Sequence, residues 1–518
     1  MDKKAKFFSL VASCLICLLV LSYSFFVYAV SFSVSPSIMN VSEAAAILYN
    51  FTITNTNLTA NITQINITVP SGFSIDAATN GTSASANIIF INSTFASWTN
   101  TTNQLILNGS TAYFWFRASQ PNRGIYNVSI DVLDHMGIVN STNVTVTVNI
   151  CSNVMAGTGT SADPCQITNW TTLNATRLNL VVDYILMNNL SSLDSDYAGI
   201  GDNWIPIGDL AGGSFAGNFN GNNNTISNLT INLPSTNYVG LFGYTTKNIS
   251  NLGLVNVNVS GSWDVGGLVG YQYSGKIDNS YSIGIVRGSD YVGGLVGMQS
   301  AGAASVIISN SYSTGSVTGS HWYAGGLAGY SSKTILNSFS SAIVSGTRFV
   351  GGLVGDSRTL INNSYATGDV SGGGNIGGLV GYMQYGNISN SYATGNVSGS
   401  STFAGGLVGE QYGGIISNSY ATGNVYRNST IGSDGVGGLV GDVSSEAIIN
   451  NSYATGNVFG VMIAGGLIGK QAGGIIANSY STGSVNSSVG IAGGLVGWQP
   501  VGSEIIDNCS STGNVLAG

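Results

Sequence analysis

The sequence predicts an all-β protein, with an immunoglobulin-like β-sandwich followed by a parallel β-helix (β-solenoid) of about ten coils. Three observations predict this fold: the composition of the chain, an alternating apolar pattern in its first part and a glycine-rich repeat in its second part. Charged residues make up 7% of the chain, glycine accounts for 73 of 518 residues, and 43% of residues are hydrophobic. Alternating apolar residues fill the first part of the chain, and a glycine-rich repeat fills the second part. A chain this apolar can bury a core, so its composition excludes intrinsic disorder.

The N-terminus has the pattern of a secretory signal peptide. Lys3, Lys4 and Lys6 precede an apolar run over residues 7–28, and Ala29 supplies a small residue for cleavage. We therefore expect a signal peptide over residues 1–29 and a secreted or cell-surface protein. The alternative is an uncleaved membrane anchor, which would be the one membrane contact of the chain.

Residues 30–150 alternate in the manner of half-buried strands. The stretches beginning at Tyr49, Ile65, Tyr113 and Val144 place apolar side chains on one face at period two, and turn signals separate them. Several short strands in about 120 residues are typical of an immunoglobulin-like β-sandwich.

The same region is dense in Asn-x-Ser/Thr sequons, which in an exported chain are acceptors for N-glycosylation. An Asn- and Thr-rich β sequence also produces such triplets by chance. The glycosylation candidates are Asn50, Asn57, Asn61, Asn66 and Asn127.

Residues 151–235 are expected to form a linker and the N-terminal cap or first coils of the β-helix. Cys151 and Cys165 bracket a segment rich in Gly, Thr and Ser, and outside the cell they are candidates for a disulfide that closes a short loop. A pair of free thiols is the alternative. Cys509 stands where the other repeats carry Ser, which indicates a small packing substitution.

Residues 236–518 repeat a unit of 26 to 32 residues. Each unit holds short β segments that cannot bury their own apolar face, and stacking the units in register about 4.8 Å apart would solve this. Its leucines would then form a ladder in the core, and its asparagine amides a second ladder. The repeating leucines are Leu241, Leu268, Leu295, Leu327, Leu353, Leu379, Leu407, Leu439, Leu467 and Leu495.

The alternation of side chains along one strand assigns each residue of the repeat to the inner or the outer face. It points Ser391, Ala393 and Val397 inward and Tyr392 outward. The outward aromatics would form a tyrosine strip that binds sugar rings or a partner surface, or whose rings only support one another. With Phe339, the strip contains Tyr281, Tyr312, Tyr365, Tyr392, Tyr420, Tyr453 and Tyr480.

Gly-Gly-Leu-Val-Gly at 377–381, paired with Asn-Ser-Tyr-Ala-Thr-Gly-Asn-Val at 390–397, resembles the GLUG repeat of secreted and surface proteins of bacteria and archaea. The resemblance extends over about residues 157–518. It implies a β-helical surface array of the kind found in adhesin-like proteins, and it implies no single ligand.

Catalytic groups are sparse. His135 and His321 are the two histidines, and neither lies in a His-Glu-x-x-His frame, which excludes the zinc-protease activity of some GLUG proteins. Asp194, Asp196 and Asp202 are expected to form an ordinary turn and not a metal site. We expect no catalytic residue, no metal and no cofactor.

The acidic residues of the repeats occur at shifting positions and do not line up beside a common Arg or Lys, so they are expected to be solvated. They are Asp264, Asp290, Asp356, Asp369, Glu410 and Asp442.

These features favour a non-catalytic, exported cell-surface glycoprotein with an adhesive or envelope-structural role. The expected partners are surface glycans or other cell-envelope proteins. A formal charge of −8 without a basic patch argues against nucleic acid. The alternative is a carbohydrate-active β-helix enzyme of the polysaccharide lyase or hydrolase type, which would need paired carboxylates in one groove.

Overall fold

The computed structural model describes residues 31–36, 38–42, 47–57, 59–119, 124–149, 151, 155–201, 204–209, 212–300, 306–400, 402–428, 435–500 and 505–518. The predicted signal segment, residues 1–29, lies outside the described residues. The chain divides into two compact units, Met1–Asn153 and Val154–Gly518. Each is described separately.

The first unit is a sandwich of two sheets, consistent with the predicted immunoglobulin-like fold. Sheet order is β1-β3-β8-β5 in one layer and β2-β10-β9-β4-β7-β6 in the other. Neighbouring strands are antiparallel except β2 and β10, which are parallel. The strands are β1 (Phe32–Ser35), β2 (Ile38–Ser42), β3 (Ile47–Asn55), β4 (Ile62–Thr68), β5 (Ser74–Thr82), β6 (Ile88–Ile91), β7 (Phe95–Thr99), β8 (Thr111–Ser119), β9 (Gly124–Asp134) and β10 (Val139–Asn149).

Period-two alternation places the sandwich core. In β8, Ala112, Phe114 and Phe116 are buried, whereas the residues between them are partly or fully exposed. The Trp98 and Phe114 rings meet edge to face at 5.3 Å, and Phe51 packs against Phe116. Aromatic burial between the two layers therefore stabilises this unit.

The second unit is a parallel β-solenoid, as predicted. Its strands fall into four sheets, and each regular coil contributes one strand to sheets I, II and III and one or two to sheet IV, whereas the first coils contribute only to sheets III and IV. Every strand pairs in parallel with the corresponding strand of the next coil.

Sheet I contains Trp263–Gly266, Asp290–Gly293, Tyr323–Gly325, Phe349–Gly351, Asn375–Gly377, Ala404–Gly405, Gly435–Gly437, Ile463–Gly465 and Ile491–Gly493. Sheet II contains Phe242–Thr245, Val269–Gln272, Val296–Gln299, Ala328–Ser331, Val354–Ser357, Val380–Gln384, Val408–Tyr412, Val440–Ser444, Ile468–Gln471 and Val496–Trp498.

Sheet III contains Cys165–Ile167, Tyr184–Leu186, Phe219–Asn220, Ile249–Ser250, Lys276–Asp278, Ile307–Ser309, Thr334–Leu336, Leu360–Asn362, Asn387–Ser389, Ile415–Ser417, Ile448–Asn450, Ile475–Ala477 and Ile505–Asp507. Sheet IV contains Leu190–Ser191, Thr225–Ser227, Thr230–Asn232, Gly253–Ser260, Tyr281–Gly288, Tyr312–Gly319, Phe339–Ser340, Ile343–Gly346, Tyr365–Ala366, Val370–Gly372, Tyr392–Ala393, Val397–Gly399, Tyr420–Ala421, Val425–Arg427, Tyr453–Ala454, Val458–Gly460, Tyr480–Ser481, Val485–Ser487, Ser510–Ser511 and Val515–Ala517.

The segment before the regular repeats already belongs to the solenoid, since Cys165–Ile167 and Tyr184–Leu186 pair within sheet III. It also holds the helix α1 (Trp170–Ala175), which Asn169 caps by accepting a hydrogen bond from the Thr172 amide, and a 3-10 turn at Thr176–Leu178. Trp170 is fully buried. This aromatic, capped segment covers the apolar interior at its first coils.

The predicted leucine ladder is confirmed. All of its members are fully buried except Leu495, which is half-buried. From Leu268 to Leu467, each leucine also lies at a corner where its amide donates to the leucine carbonyl of the next coil, as in Leu379 to Leu407 at 2.9 Å and Leu407 to Leu439 at 2.8 Å. The same residue thus supplies the apolar core and a cross-coil hydrogen bond.

A second corner is formed by asparagine. The ten repeat asparagines from Asn251 to Asn508 have φ between 47° and 55°, a left-handed conformation that Asn tolerates better than most residues. Their amides form the predicted ladder at several coils, for example Asn337 to Asn310 and Asn363 to Asn337, both at 3.3 Å, whereas Asn310 and Asn390 donate instead to Asp278 and Asn362. The sequence analysis predicted the amide ladder but not the backbone role of these residues.

The inward assignment of Ser391, Ala393 and Val397 is confirmed, since each is at most 1% exposed. The buried serine is satisfied in two ways. Its hydroxyl donates to the Ser389 carbonyl at 2.7 Å and accepts from the Ser364 amide of the preceding coil at 3.1 Å. Cys509 keeps the first of these contacts, with its thiol 3.1 Å from the Asp507 carbonyl.

Glycine is required where sheets I and II approach each other. A Cβ on Gly377 would overlap the Val380 carbonyl oxygen, and the equivalent glycine of every coil from Gly266 to Gly493 has the same surroundings. Gly399 lies in the same coil, yet a Cβ there would meet no atom closer than 3.0 Å, the flexible end of Ile376. Close backbone approach, and not a positive φ, therefore requires the first class of glycine.

We predict that Gly377→Ala destabilises the solenoid by about 2 kcal/mol or more, because a backbone carbonyl must move to make room for the methyl group. Gly399→Ala, which adds the same methyl group in the same coil, should change the urea midpoint little. Urea unfolding followed by circular dichroism measures both variants. Equal midpoints for the two would contradict this account of the corner.

Candidate functional site

The predicted tyrosine strip exists on sheet IV, with Tyr392 partly exposed. From Tyr281 to Tyr480, successive rings lie 4.7–4.9 Å apart with interplanar angles of 1–6°. Each ring face inside the strip is therefore covered by its neighbours, which leaves ring edges and hydroxyls on the surface. This geometry fits rings that support one another and restricts any binding role to edge contacts.

The glycosylation candidates differ in exposure. Asn50 and Asn127 are exposed, and Asn61 and Asn66 are half-buried. Asn57 is 8% exposed, and its side-chain oxygen accepts from the Thr59 and Ala60 amides. Asn57 is thus the least suitable of the five for a bulky glycan.

Two of the cysteines singled out above are disulfide-bonded, and two of the aspartates accept hydrogen bonds from backbone amides. Cys151 and Cys165 are buried and each is disulfide-bonded, whereas Cys509 is a free thiol. Asp194 accepts from the Ser191 amide, and Asp196 accepts from the Thr171 amide at 2.8 Å. Asp202 lies outside the described residues.

The expectation that the repeat carboxylates are solvated and lie at shifting positions was wrong for four of the six residues. Asp264, Asp290, Asp356 and Asp442 are all at most 5% exposed, whereas Asp369 is exposed. Three acidic residues also share one column of sheet II. Loops of different length between the coils obscure this alignment in the sequence. The sequence nevertheless contains a signal for it, because each of the three residues lies three positions after its ladder leucine.

In this column of sheet II the residue type changes from coil to coil, whereas the buried residues around it recur in each coil. In register order it contains Tyr244, Tyr271, Met298, Tyr330, Asp356, Tyr382, Glu410, Asp442, Lys470 and Trp498. Most of these side chains are half-exposed, and Asp356 and Asp442 are buried. The column is therefore the part of the coil where sequence variation does not disturb the stacking.

A matching column in sheet I lies four residues before each ladder leucine and includes Tyr323 and Phe349. Its rings contact the sheet II column, with Tyr323 6.2 Å from Tyr330 and Phe349 5.3 Å from Tyr382. We call the surface formed by these two columns, together with the residues directly before the sheet I column such as Trp263 and Trp322, the aromatic face. The sequence analysis missed it, because the contacts join residues of neighbouring sheets.

Two neighbouring clefts on the aromatic face contain a carboxyl group. The larger, the Glu410 cleft, has a volume of about 670 Å³, and the smaller, the Asp290 cleft, about 400 Å³. Trp322 and His321 line both clefts. The walls of the Glu410 cleft include Trp322, Arg348, Phe349, Asn375, Tyr382, Phe403 and Glu410.

Hydrogen bonds fix the polar groups of the Glu410 cleft. The Asn375 side-chain amide donates to Glu410 Oε2, and its oxygen accepts from the Thr402 hydroxyl at 2.7 Å. Arg348 lies with its guanidinium carbon 3.9 Å from the centre of the Trp322 ring. Burial raises the pKa of Glu410, while the Asn375 hydrogen bond and Lys470 oppose this. The side chains of Asn375 and Glu410 are thus positioned by other groups of the protein.

The Asp290 cleft contains a paired histidine. His321 Nδ1 lies 3.1 Å from Asp290 Oδ1, and Trp263, Tyr291 and Tyr323 supply the aromatic walls. Within the described ranges, no three His, Cys, Asp or Glu side chains are grouped so that they could hold a metal ion. His135 is exposed beyond the end of β9.

Two buried carboxylates next to the clefts are electrostatically strained. Burial, with a contribution from Asp290, raises the pKa of Asp264 to about 7. Burial also raises the pKa of Asp356 to about 6, although Arg358 at 3.6 Å lowers it. Negative charge is therefore unfavourable at these positions unless an external group compensates it.

Comparison with known proteins identifies the repeat. The family described as "The GLUG motif" matches residues 261–287, 372–398, 401–426 and 460–486. The chain carries GLUG repeats. The segment 372–398 runs from sheet I of one coil to sheet IV of the same coil, so one GLUG repeat corresponds to one coil of the solenoid.

A curated relative and a solved structure were also found. Halomucin of Haloquadratum walsbyi is 33% identical over 144 residues, which is 26% of this chain and 2% of halomucin. This chain therefore matches only a small fraction of halomucin's length. The major pilin subunit of Bacillus cereus, known from a crystal structure, has 8% sequence identity over a region that covers 23% of this chain and 40% of that chain. The TM-score of 0.18 is too low to indicate a structural relationship.

No helix within the described residues has the length and apolar character needed to cross a membrane.

We predict that Asp264→Asn stabilises the protein at pH 8 and has little effect at pH 3. The raised pKa means that the folded state binds the proton more tightly, so stability falls as pH rises from about 4 to about 7. Asn removes this loss, which is about 4 kcal/mol for a pKa raised from 3.8 to about 7, and it tolerates the φ of 53° at this position. Melting temperatures across this pH range test the effect.

Asp369→Asn removes the same charge from an exposed site and should not reproduce the effect. If Asp264→Asn left the pH dependence of the melting temperature unchanged, Asp264 would not be the buried titrating group described here.

Proposed function

We propose that this chain is an exported, non-catalytic surface protein whose GLUG solenoid presents the aromatic face for adhesion. The observation that carries the proposal is the distribution of sequence variation. The buried ladders repeat from coil to coil, whereas the two columns of the aromatic face differ in almost every coil. Such a surface suits recognition built on a rigid scaffold.

Exposed aromatic area supports adhesion over a purely structural role. Trp263 is 52% exposed on this face, and half-buried Trp322 and Phe403 line the Glu410 cleft. Monomeric soluble proteins rarely leave clustered aromatic side chains uncovered without a binding role.

The number of carboxyl groups in each cleft favours binding over catalysis. Each cleft is lined by a single carboxyl group, Glu410 in one and Asp290 in the other. Glycoside hydrolysis requires two carboxyl groups facing the same substrate. The column that joins Asp356, Glu410 and Asp442 is the observation that keeps a carbohydrate-active enzyme as the second candidate.

Export, surface location and glycosylation belong to the same proposal. They rest on the basic and apolar N-terminal segment, on the exposed sequons such as Asn50 and Asn127, and on the similarity to halomucin, whose name describes a mucin.

Beads coated with the purified full chain should be retained under flow on surfaces coated with polysaccharides, mucin or whole cells. Replacing Trp263, Trp322 and Phe403 by Ser should reduce retention at least tenfold on the surface that binds best, because these side chains supply the exposed apolar area. The number of beads retained at a fixed shear is the measurement.

The matched control replaces Tyr426 and Phe459 by Ser, since these exposed aromatics lie on sheet IV, outside the aromatic face. Melting curves establish that both variants fold. Absence of retention on every surface, or equal loss in the control, would overturn an adhesive role for this face. Shortening of a polysaccharide by the purified chain would overturn the non-catalytic assignment.

A further inference from the structure

We infer that the Glu410 cleft is a binding site for a neutral oligosaccharide, formed by four aromatic rings around a hydrogen-bonded Glu410–Asn375 pair. The inference deepens the proposed function and rests on it, because it names the ligand class of one site on the aromatic face. Its volume of about 670 Å³ lies within the range of ligand pockets, about 300–1,000 Å³.

The aromatic walls are arranged along the direction in which the coils stack. Trp322, Phe349 and Tyr382 come from three successive coils, with ring centres 6.1 Å and 5.3 Å apart. Their planes are inclined by 30° and 35°, so they are not stacked in parallel like the tyrosine strip. Rings in this arrangement offer apolar area to a chain of sugar rings lying across several coils.

The polar groups match hydroxyls. Asn375 is 7% exposed, so the cleft contains a polar side chain that is more than nine-tenths buried. It holds Glu410 through Oε2, and among the described residues no donor reaches Oε1. A carboxylate oxygen held in this way accepts hydrogen bonds from sugar hydroxyls, and the Arg348 guanidinium donates to hydroxyl or ring oxygens.

Charge distinguishes a neutral ligand from an ionic one. Arg348, which lies over the Trp322 ring, would repel a cation, and Glu410, which also lines the cleft, would repel an anion. A ligand rich in hydroxyls uses both groups without a net charge of its own.

A peptide strand is a poor occupant of this cleft. The sheet I strand Asn375–Gly377 is paired on both sides, with Phe349–Gly351 and Ala404–Gly405. The cleft therefore has no free backbone edge to which an extended peptide could add.

The test is isothermal titration of the full chain with maltohexaose, cellohexaose, mannohexaose and xylohexaose. Oligogalacturonate and chitosan hexamers serve as the anionic and cationic probes. We expect at least one neutral hexamer to bind, and Glu410→Gln and Phe403→Ala each to weaken its binding tenfold or more. Glu410→Gln preserves side-chain shape, so folding should be unaffected.

Glu446→Gln removes an exposed carboxylate outside the cleft, and Tyr392→Ser removes a ring of the tyrosine strip. Both controls should bind like the original chain. The inference is overturned if no neutral hexamer binds, if a charged probe binds more tightly than all of the neutral ones, or if the cleft variants bind normally.

The two proposals fail separately. Beads that adhere although no neutral hexamer binds would leave adhesion standing and reject this site. Hydrolysis of a bound hexamer that stops in Glu410→Gln would retain the saccharide site and reject the non-catalytic assignment.

Discussion

The structure depends on the registered stacking of coils through the leucine corner. A ladder leucine such as Leu379 fills the interior and also donates its amide to the next leucine carbonyl, so apolar burial and hydrogen bonding cannot be satisfied in different registers. A slip by one residue would turn the leucines outward and break this chain of bonds together. The single-residue corner thus specifies the stacking along the whole array.

Once the register is set, the other features of the repeat follow from it. Glycine is needed where the backbones of sheets I and II come together, and Asn where the chain adopts positive φ before the buried serine. None of these requirements applies to the columns three residues after and four residues before each leucine. Those positions are free to vary, and they are where Trp, Tyr, Phe, Asp, Glu and Lys side chains accumulate. The regular interior therefore produces a surface with a different chemistry at each coil.

Most of the fold, but less of the site, was predictable from the sequence. The Leu repeat and the strand parity around Ser391 predict the solenoid, because burial at a fixed spacing has one simple solution. The tyrosine strip was predicted correctly in position, but the parallel stacking of its rings depends on the spacing between coils. The aromatic face was missed because contacts such as that of Phe349 with Tyr382 depend on the angle between two sheets, which a linear pattern does not contain. The burial of Asp264 and Asp356 was missed for the same reason.

Distances between spin labels along one column test the registered stacking most directly. Ser260, Ser371 and Asn486 lie in one column of sheet IV, four coils apart in each step. With labels on cysteines at these sites and the other free cysteines replaced by serine, double electron–electron resonance should give about 19 Å for each adjacent pair and about 38 Å for the outer pair. Distances that do not add in this way, or that are broadly distributed, would contradict a solenoid of stacked coils.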